Sequence, residues 1–273
     1  MSIEEKFVLF LDELRVPDQQ DEEAKQWTRK IKEGLEREAP SHIEKIFLSG
    51  SVKRKTAIRP LHDVDLYIVV KENYTKGANF SSILKNFLQS IVQRIFEQRT
   101  SVSFMDHGLK VVKGDFQADL VIARFFRNET DVYWILSNEN WIKTSAVDHE
   151  KRLAEINEKT DGYAQNFIKL MKAWNKQKKK SGVGKPMNSF HVEVLVLDHI
   201  PIEERSYENG MITLFEQFSE AVKERKSHSL EGAPNIDEMT AQERERAIKL
   251  LKLSLDQANN GDWQLVFGEK FPH

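Results

Sequence analysis

Asp63-Val64-Asp65 heads an unbroken apolar run, Leu66-Tyr67-Ile68-Val69-Val70, and this placement constrains the chain more than any other feature. Val, Ile and Tyr favour a strand. Side chains alternate along a strand, so carboxylates two residues apart face the same side. Like charges at that range oppose each other's ionisation. A divalent cation removes the conflict, and Mg²⁺ takes oxygen ligands while keeping room for phosphate. Asp63 and Asp65 are therefore the first candidates for hard-metal ligands. Upstream, Ile46-Phe47-Leu48 reads as a shorter strand that breaks at Ser49-Gly50-Ser51. Small residues there allow a ligand to approach the backbone, and the N–H groups of such a turn can receive phosphate oxygens.

Gly50-Ser51 followed by Asp63-Val64-Asp65-Leu66 resembles the signature of the DNA polymerase β-type nucleotidyltransferases. In that superfamily Gly-Ser grips a triphosphate and the Asp-x-Asp pair holds two Mg²⁺ ions, which Mn²⁺ can replace. The intervening Thr56-Ala57-Ile58-Arg59-Pro60-Leu61-His62 is similar to one branch. It contains the oligoadenylate synthases, cyclic GMP-AMP synthase and the bacterial cyclic-oligonucleotide synthases of antiphage systems, the CD-NTases. The resemblance implies an α+β fold: a mixed twisted sheet with flanking helices, then an all-helical lobe, with the active site in the cleft between them. Residues 1–155 are expected to form the catalytic core with its N-terminal helices, and residues 156–273 the lobe.

Leu109 to Val112 and Phe116 to Ala123 bracket Lys113-Gly114-Asp115, a hairpin turn. Asp119 stands in the second arm, before Leu120-Val121-Ile122-Ala123. By the resemblance it is the third carboxylate, ligating the metal nearest the acceptor hydroxyl and helping to remove its proton. The chemistry agrees, because a hydroxyl is a poor nucleophile at neutral pH until a metal coordinates it. Asp115 and Asp106 are weaker candidates, one in the turn and one just before a glycine.

Farther on, Phe167, Ile168, Met171 and Trp174 lie at helical spacing with Lys169 and Lys172 among them. Met187-Asn188-Ser189-Phe190-His191 opens another helix, with Asn188 or Ser189 as its cap. These stretches are similar to the helical half of cyclic GMP-AMP synthase and its bacterial relatives. In that family a lysine on the first helix and a serine opening the next hold the triphosphate tail, and the following aromatic stacks on the base. Carried over, these are Lys172, Ser189 and Phe190, where Phe190 replaces a common tyrosine and loses its hydroxyl. The competing readings are a solvated helix face for Lys172 and a plain cap for Ser189. The run Lys176 to Lys180 reads as a solvated loop, with contact to an activating nucleic acid as the alternative. His149, with no partner visible in the sequence, reads as a surface histidine.

Composition adds limits. A chain of 273 residues with 40% hydrophobic content can build one large domain or two moderate ones. A net charge of −2 predicts neither nucleic-acid nor membrane attachment in bulk. No cysteine is present, which excludes disulfides, cysteine-containing zinc sites and the zinc-bearing insertion of animal cyclic GMP-AMP synthase. No stretch is apolar enough to span a membrane, and Glu4 and Glu5 do not suit a signal peptide, so a cytoplasmic protein is expected. Residues 1 to 39 read as two helices broken at Val16-Pro17-Asp18, the second capped by Asp18 or Asp21. Both are expected to brace the catalytic core. Residues 124 to 160 read as a polar connection in which Trp134 and Trp141 serve packing.

The function expected is Mg²⁺-dependent joining of NTPs, ATP foremost, into a cyclic di- or trinucleotide or an oligonucleotide. Pyrophosphate is released and the product is a second messenger in antiphage signalling. An activator, nucleic acid or protein, and a separately encoded effector are the implied partners. The alternatives are NMP transfer to a tRNA end, a protein or a small molecule, and nucleotide binding without turnover.

Overall fold

The computed structural model describes residues 1–61, 63–74, 79–96, 100–125, 132–144, 146–179, 187–224 and 239–273. His62, Phe126, Lys180 and residues 227–237, whose Gly232 and Pro234 read as a loop, lie outside the described residues. The chain divides into two compact units. One is Val16–Val147; the other joins Met1–Arg15 to the described residues from Asp148 onward.

The first unit is built on a mixed seven-stranded sheet. Its strands are β1 (Ile43–Ser49), β2 (Val64–Val70), β3 (Ser101–Met105), β4 (Gly108–Lys113), β5 (Phe116–Phe125), β6 (Tyr133–Ser137) and β7 (Asn140–Thr144). The order is β1-β2-β5-β4-β3, with β6 on the far end of β5 and β7 beyond it. β2 and β5 run parallel; the other pairs are antiparallel.

Two helices cover one face, α2 (Asp18–Glu38) and α4 (Phe80–Phe96). They bring Ile31, Leu35, Leu84, Leu88, Ile91 and Phe96 onto Leu66, Ile68, Val70, Leu109, Leu120 and Ile122. A smaller cluster, Tyr67, Val69, Ala123, Tyr133 and Ala146, occupies the opposite face. β2 is apolar on both faces beyond Asp65, as a strand in mid-sheet should be.

Pro17, not Asp18 or Asp21, is the residue at the N-cap of α2, and no side chain caps it. Proline's fixed φ leads the chain directly into the helix, so Asp18 is already its first residue. The stretch read as a polar connection forms the β6–β7 hairpin and α5 (Ala146–Lys159). Its pattern was hidden because Arg124 and two tryptophans share one of its faces. The guanidinium lies 4.7 Å from the Trp141 ring centre and 5.9 Å from that of Trp134.

The second unit is all helical: α1 (Ile3–Leu14), most of α5, α6 (Tyr163–Lys178), α7 (Ser189–His199), α8 (Tyr207–Ala221), α9 (Ala241–Asn259) and α10 (Trp263–Phe267). α1 was expected to brace the catalytic core. It packs instead on α6 and α8. Phe7 and Phe10 sit edge-on or tilted among Trp263, Phe267 and Phe271 at centroid distances of 4.8–6.0 Å. The expected boundary near residue 155 falls inside α5, and the units part at its first turn. Among the described residues, no helix is long and apolar enough to cross a membrane.

Candidate active site

Strand register gathers the acids of the first unit. β1 places Ser49 opposite Asp65, and the parallel pairing of β2 with β5 places Asp65 beside Asp119. Leu66, Leu120 and Ile122 point under α2 and α4. Asp65 and Asp119 therefore stand on the other face, the one that carries Tyr67, Val69, Val121 and Ala123. Asp63 lies two residues before Asp65, at the mouth of β2.

Burial raises the Asp119 carboxyl above its ordinary value, and the negative charge of Asp63 raises it further. Lys110, directly across the β4–β5 pair, pulls it down, as does the Gln117 side chain, whose amide donates to Oδ1 at 3.1 Å.

Gly50 follows at the end of β1 with φ +71°, and opens α3, the short helix Gly50–Lys53. A Cβ at Gly50 would run into the Asp65 carboxylate, so only glycine lets the turn pass so close. The carbonyl of Ser51 accepts from Thr56 N–H at 2.9 Å and from Ala57 N–H at 3.2 Å, which folds the following loop back on the Gly-Ser turn. Thr56 is fully buried there. Farther along, Leu61 N–H donates to Gln20 on α2 at 3.2 Å and anchors the approach to Asp63.

The donor set suits a hard dication. Asp63, Asp65 and Asp119 offer only carboxylate oxygens, and a cation would offset both the burial and the Asp63 repulsion that raise the Asp119 carboxyl. Among the described residues, no group of three His, Cys, Asp or Glu side chains is placed to hold a metal ion by itself. Mg²⁺ does not require one; it is commonly held by one or two carboxylates together with substrate phosphates. The residues fit the ion.

The helical unit carries the other candidates. Asn188 caps α7, accepting from His191 N–H at 2.7 Å. Ser189 is thus the first helical residue, exposed, and not the cap. Asn175 fixes where this helix begins. Its amide donates to Met187 O at 2.7 Å and accepts from Met187 N–H at 3.1 Å.

Lys172 does not lie on a solvated face: it is 7% exposed, and Nζ donates to Glu193 Oε1 at 2.5 Å. His149, expected at the surface, is buried with Nε2 3.1 Å from Glu193 Oε2. α5, unread in the sequence, turns it inward. The Phe190 ring meets the His149 ring edge-on at 4.8 Å. Lys178, in the run read as a solvated loop, is still helical and buried, with Nζ on Leu265 O at 3.1 Å.

Gly50, Ser51, Asp63, Asp65 and Asp119 thus come together in the sheet unit, and Lys172, Ser189 and Phe190 belong to the helical unit. Residues 1–157 match the family described as the Second Messenger Oligonucleotide or Dinucleotide Synthetase domain, SMODS. The chain belongs to this SMODS family. A Bacillus cereus (strain VD146) protein named probable cyclic nucleotide synthase is 26% identical over 275 residues, covering 82% of this chain and 81% of its own. The cyclic AMP-AMP-AMP synthase of Acinetobacter sp. (strain ATCC 27244 / 9458) is 26% identical over 62% of this chain, which spans 50% of that protein. Among solved structures, the CdnC:HORMA-deltaN complex from E. coli MS115-1 superposes with a TM-score of 0.80 at 14% identity. It covers 99% of this chain and 98% of that one. CdnC with ATP gives 0.77 at 17% identity, covering 99% of each chain. The fold is that of the CD-NTases within the polymerase β-like superfamily, and this SMODS chain is a nucleotidyltransferase of the cyclic-oligonucleotide synthase class. That family generally uses a divalent metal.

Four residues at these sites were not foreseen: Lys110, Gln117, His149 and Glu193. Lys110 was within reach of the sequence. A two-residue loop at Gly114-Asp115 pairs Lys113 with Phe116 and, by counting back, Lys110 with Asp119.

Proposed function

We propose that this SMODS chain joins NTPs, ATP foremost, into a cyclic di- or trinucleotide or a short oligonucleotide, releasing pyrophosphate, and that the product is a second messenger in antiphage defence. The observation that carries the reading is the side-by-side register of Asp65 and Asp119 on β2 and β5, with Asp63 close enough to raise the Asp119 carboxyl. ATP is the first choice because CdnC, the similar E. coli protein, is described with ATP. A HORMA protein is the partner class to test, because CdnC is described in complex with one.

In this reading Asp63 and Asp65 would hold two Mg²⁺ ions, and Asp119 would be the third ligand. When bound, the metals lower the hydroxyl's pKa and neutralise charge on the leaving pyrophosphate. Gln117 orients the Asp119 carboxylate, and Lys110 limits how far its pKa can rise. Gly50 and Ser51 receive phosphate oxygens through backbone N–H groups. Lys172 supplies a cation and Ser189 a hydroxyl to the triphosphate, and Phe190 stacks on a base.

Incubation with labelled ATP, GTP, CTP and UTP and Mg²⁺ or Mn²⁺, then phosphatase treatment and mass analysis, tests this. Phosphatase-resistant products made from NTPs alone are expected, and the double variant Asp63→Ala, Asp65→Ala should make none. A requirement for an added acceptor would point instead to NMP transfer. Undiminished product from the double variant would remove both acids from the mechanism.

A further inference from the structure

Three helices of the second unit bury one hydrogen-bonded triad. Glu193 on α7 is 1% exposed. Its two carboxylate oxygens are divided between Lys172 on α6, at 2.5 Å, and His149 on α5, at 3.1 Å. The members come from three successive helices, and each is nearly dry.

Burying such charges gives little stability. Desolvation costs each ion several kcal/mol, and well-packed apolar side chains of the same volume often do as well or better. Direction is what the triad supplies. An ammonium has three donors on a flexible stem and no orientation of its own. One short, charge-assisted bond to a carboxylate that is held at its other oxygen restricts where Nζ can lie. The second oxygen does the same for the imidazole. That imidazole meets the Phe190 ring at 4.8 Å, three residues before Glu193 on the same helix. Lys172 and Phe190 are two of the groups assigned above to the nucleotide.

We infer that Glu193 is a positioning residue for nucleotide binding, acting on Lys172 directly and on Phe190 by way of His149. The inference rests on the assignment of Lys172 and Phe190 made under the proposed function. Glu193 touches no substrate in it; it aims the groups that do.

The test uses the full chain, steady-state kinetics with the NTP that the wild type consumes, and four substitutions, Glu193→Gln, Lys172→Met, His149→Gln and Phe190→Ala, alone and in two pairs. Glu193→Gln keeps volume and hydrogen bonding but removes the charge. It is expected to raise KM about tenfold with kcat within about twofold, the signature of binding lost equally from ground and transition states. In a Lys172→Met background the same change should add no more than about twofold, because coupled residues are not additive. His149→Gln should raise KM about threefold, and should add nothing once Phe190 is alanine. Circular dichroism and thermal unfolding establish that each variant is folded.

A folded Glu193→Gln with wild-type KM overturns the inference, and so does an undiminished effect in the Lys172→Met background. Should Glu193→Gln fail to fold, His149→Gln decides, and an unchanged KM there overturns the inference. Lys172→Met separates the two levels. If it leaves KM unchanged, the assignment of Lys172 to the nucleotide has failed and the inference falls with it. If it raises KM while Glu193→Gln does not, the assignment stands and the inference alone fails.

Discussion

At the scale of single residues, the site shows a conflict that folding does not resolve. Asp119 is held where its charge is unwelcome, by burial first and by Asp63 second, and Lys110 and Gln117 only partly compensate. With its folded pKa above the unfolded value, Asp119 binds more protons when folded in the window between 3.8 and the raised value. Metal-free stability must therefore fall as pH rises through that window and stay reduced above it. Asp119→Asn should abolish turnover yet raise the metal-free midpoint of unfolding at neutral pH by about 1–3 °C. The gain should vanish as pH is lowered to the unfolded carboxylate's range; an equal gain at every pH would show that titration is not its source. Gly50→Ala tests the neighbouring turn. The change forces a left-handed φ of +71° on alanine and drives its Cβ into Asp65. It should cost about 1–3 kcal/mol of stability. Activity should fall about a hundredfold, because reacting groups misplaced by even an ångström lose that much; urea unfolding and initial rates read the two effects separately.

At the scale of elements, hairpins and amphipathic helices were legible wherever a regular period ran without interruption. β4 and β5 flank Gly114, whose φ is +59°, and α4 and α9 show apolar faces at helical spacing. Thr240 and Glu243 form a complete capping box at the start of α9. β6 and β7 were missed because one of their faces carries Arg124 against two indoles, which interrupts the hydrophobic period. The same limit hid the way α1 is fixed. Its Glu4 carboxylate accepts from Ser206 Oγ–H at 2.6 Å, Tyr207 N–H at 2.9 Å and Glu208 N–H at 3.1 Å. A side chain from one helix thus serves the exposed N–H groups of another, and no local pattern announces a partner two hundred residues away. Glu4→Ala should lower unfolding free energy by about 1–2 kcal/mol, as loss of a cap does. The check is urea unfolding at neutral pH, with a loss below a few tenths showing that water replaces the carboxylate fully.

At the scale of the whole chain, the pairing of the candidate acids was readable because it is local: Asp65 and Asp119 lie on two strands whose faces alternation fixes. The grouping of helices was not, because it depends on which apolar face finds which. Phe7, Phe10 and Leu14 on α1 and Trp27, Ile31 and Leu35 on α2 look alike in sequence. α2 closes over the sheet, where Trp27 stacks between Phe96 and Phe116 at 4.7 and 4.8 Å. α1 completes the aromatic cluster of Trp263, Phe267 and Phe271, so the first residues of the chain fold with the last. Deleting residues 1–15 should therefore expose that cluster and loosen the helical unit. Hydrogen exchange should show protection lost in α6, α8 and α10 and retained in β1, β2, β4 and β5. Phe7→Ala and Phe10→Ala should each lower stability by about 3–5 kcal/mol, the usual cost of emptying a buried phenylalanine site. If instead the strands lose protection and the helices keep it, α1 braces the catalytic sheet after all, and the division of the chain at the start of α5 is wrong.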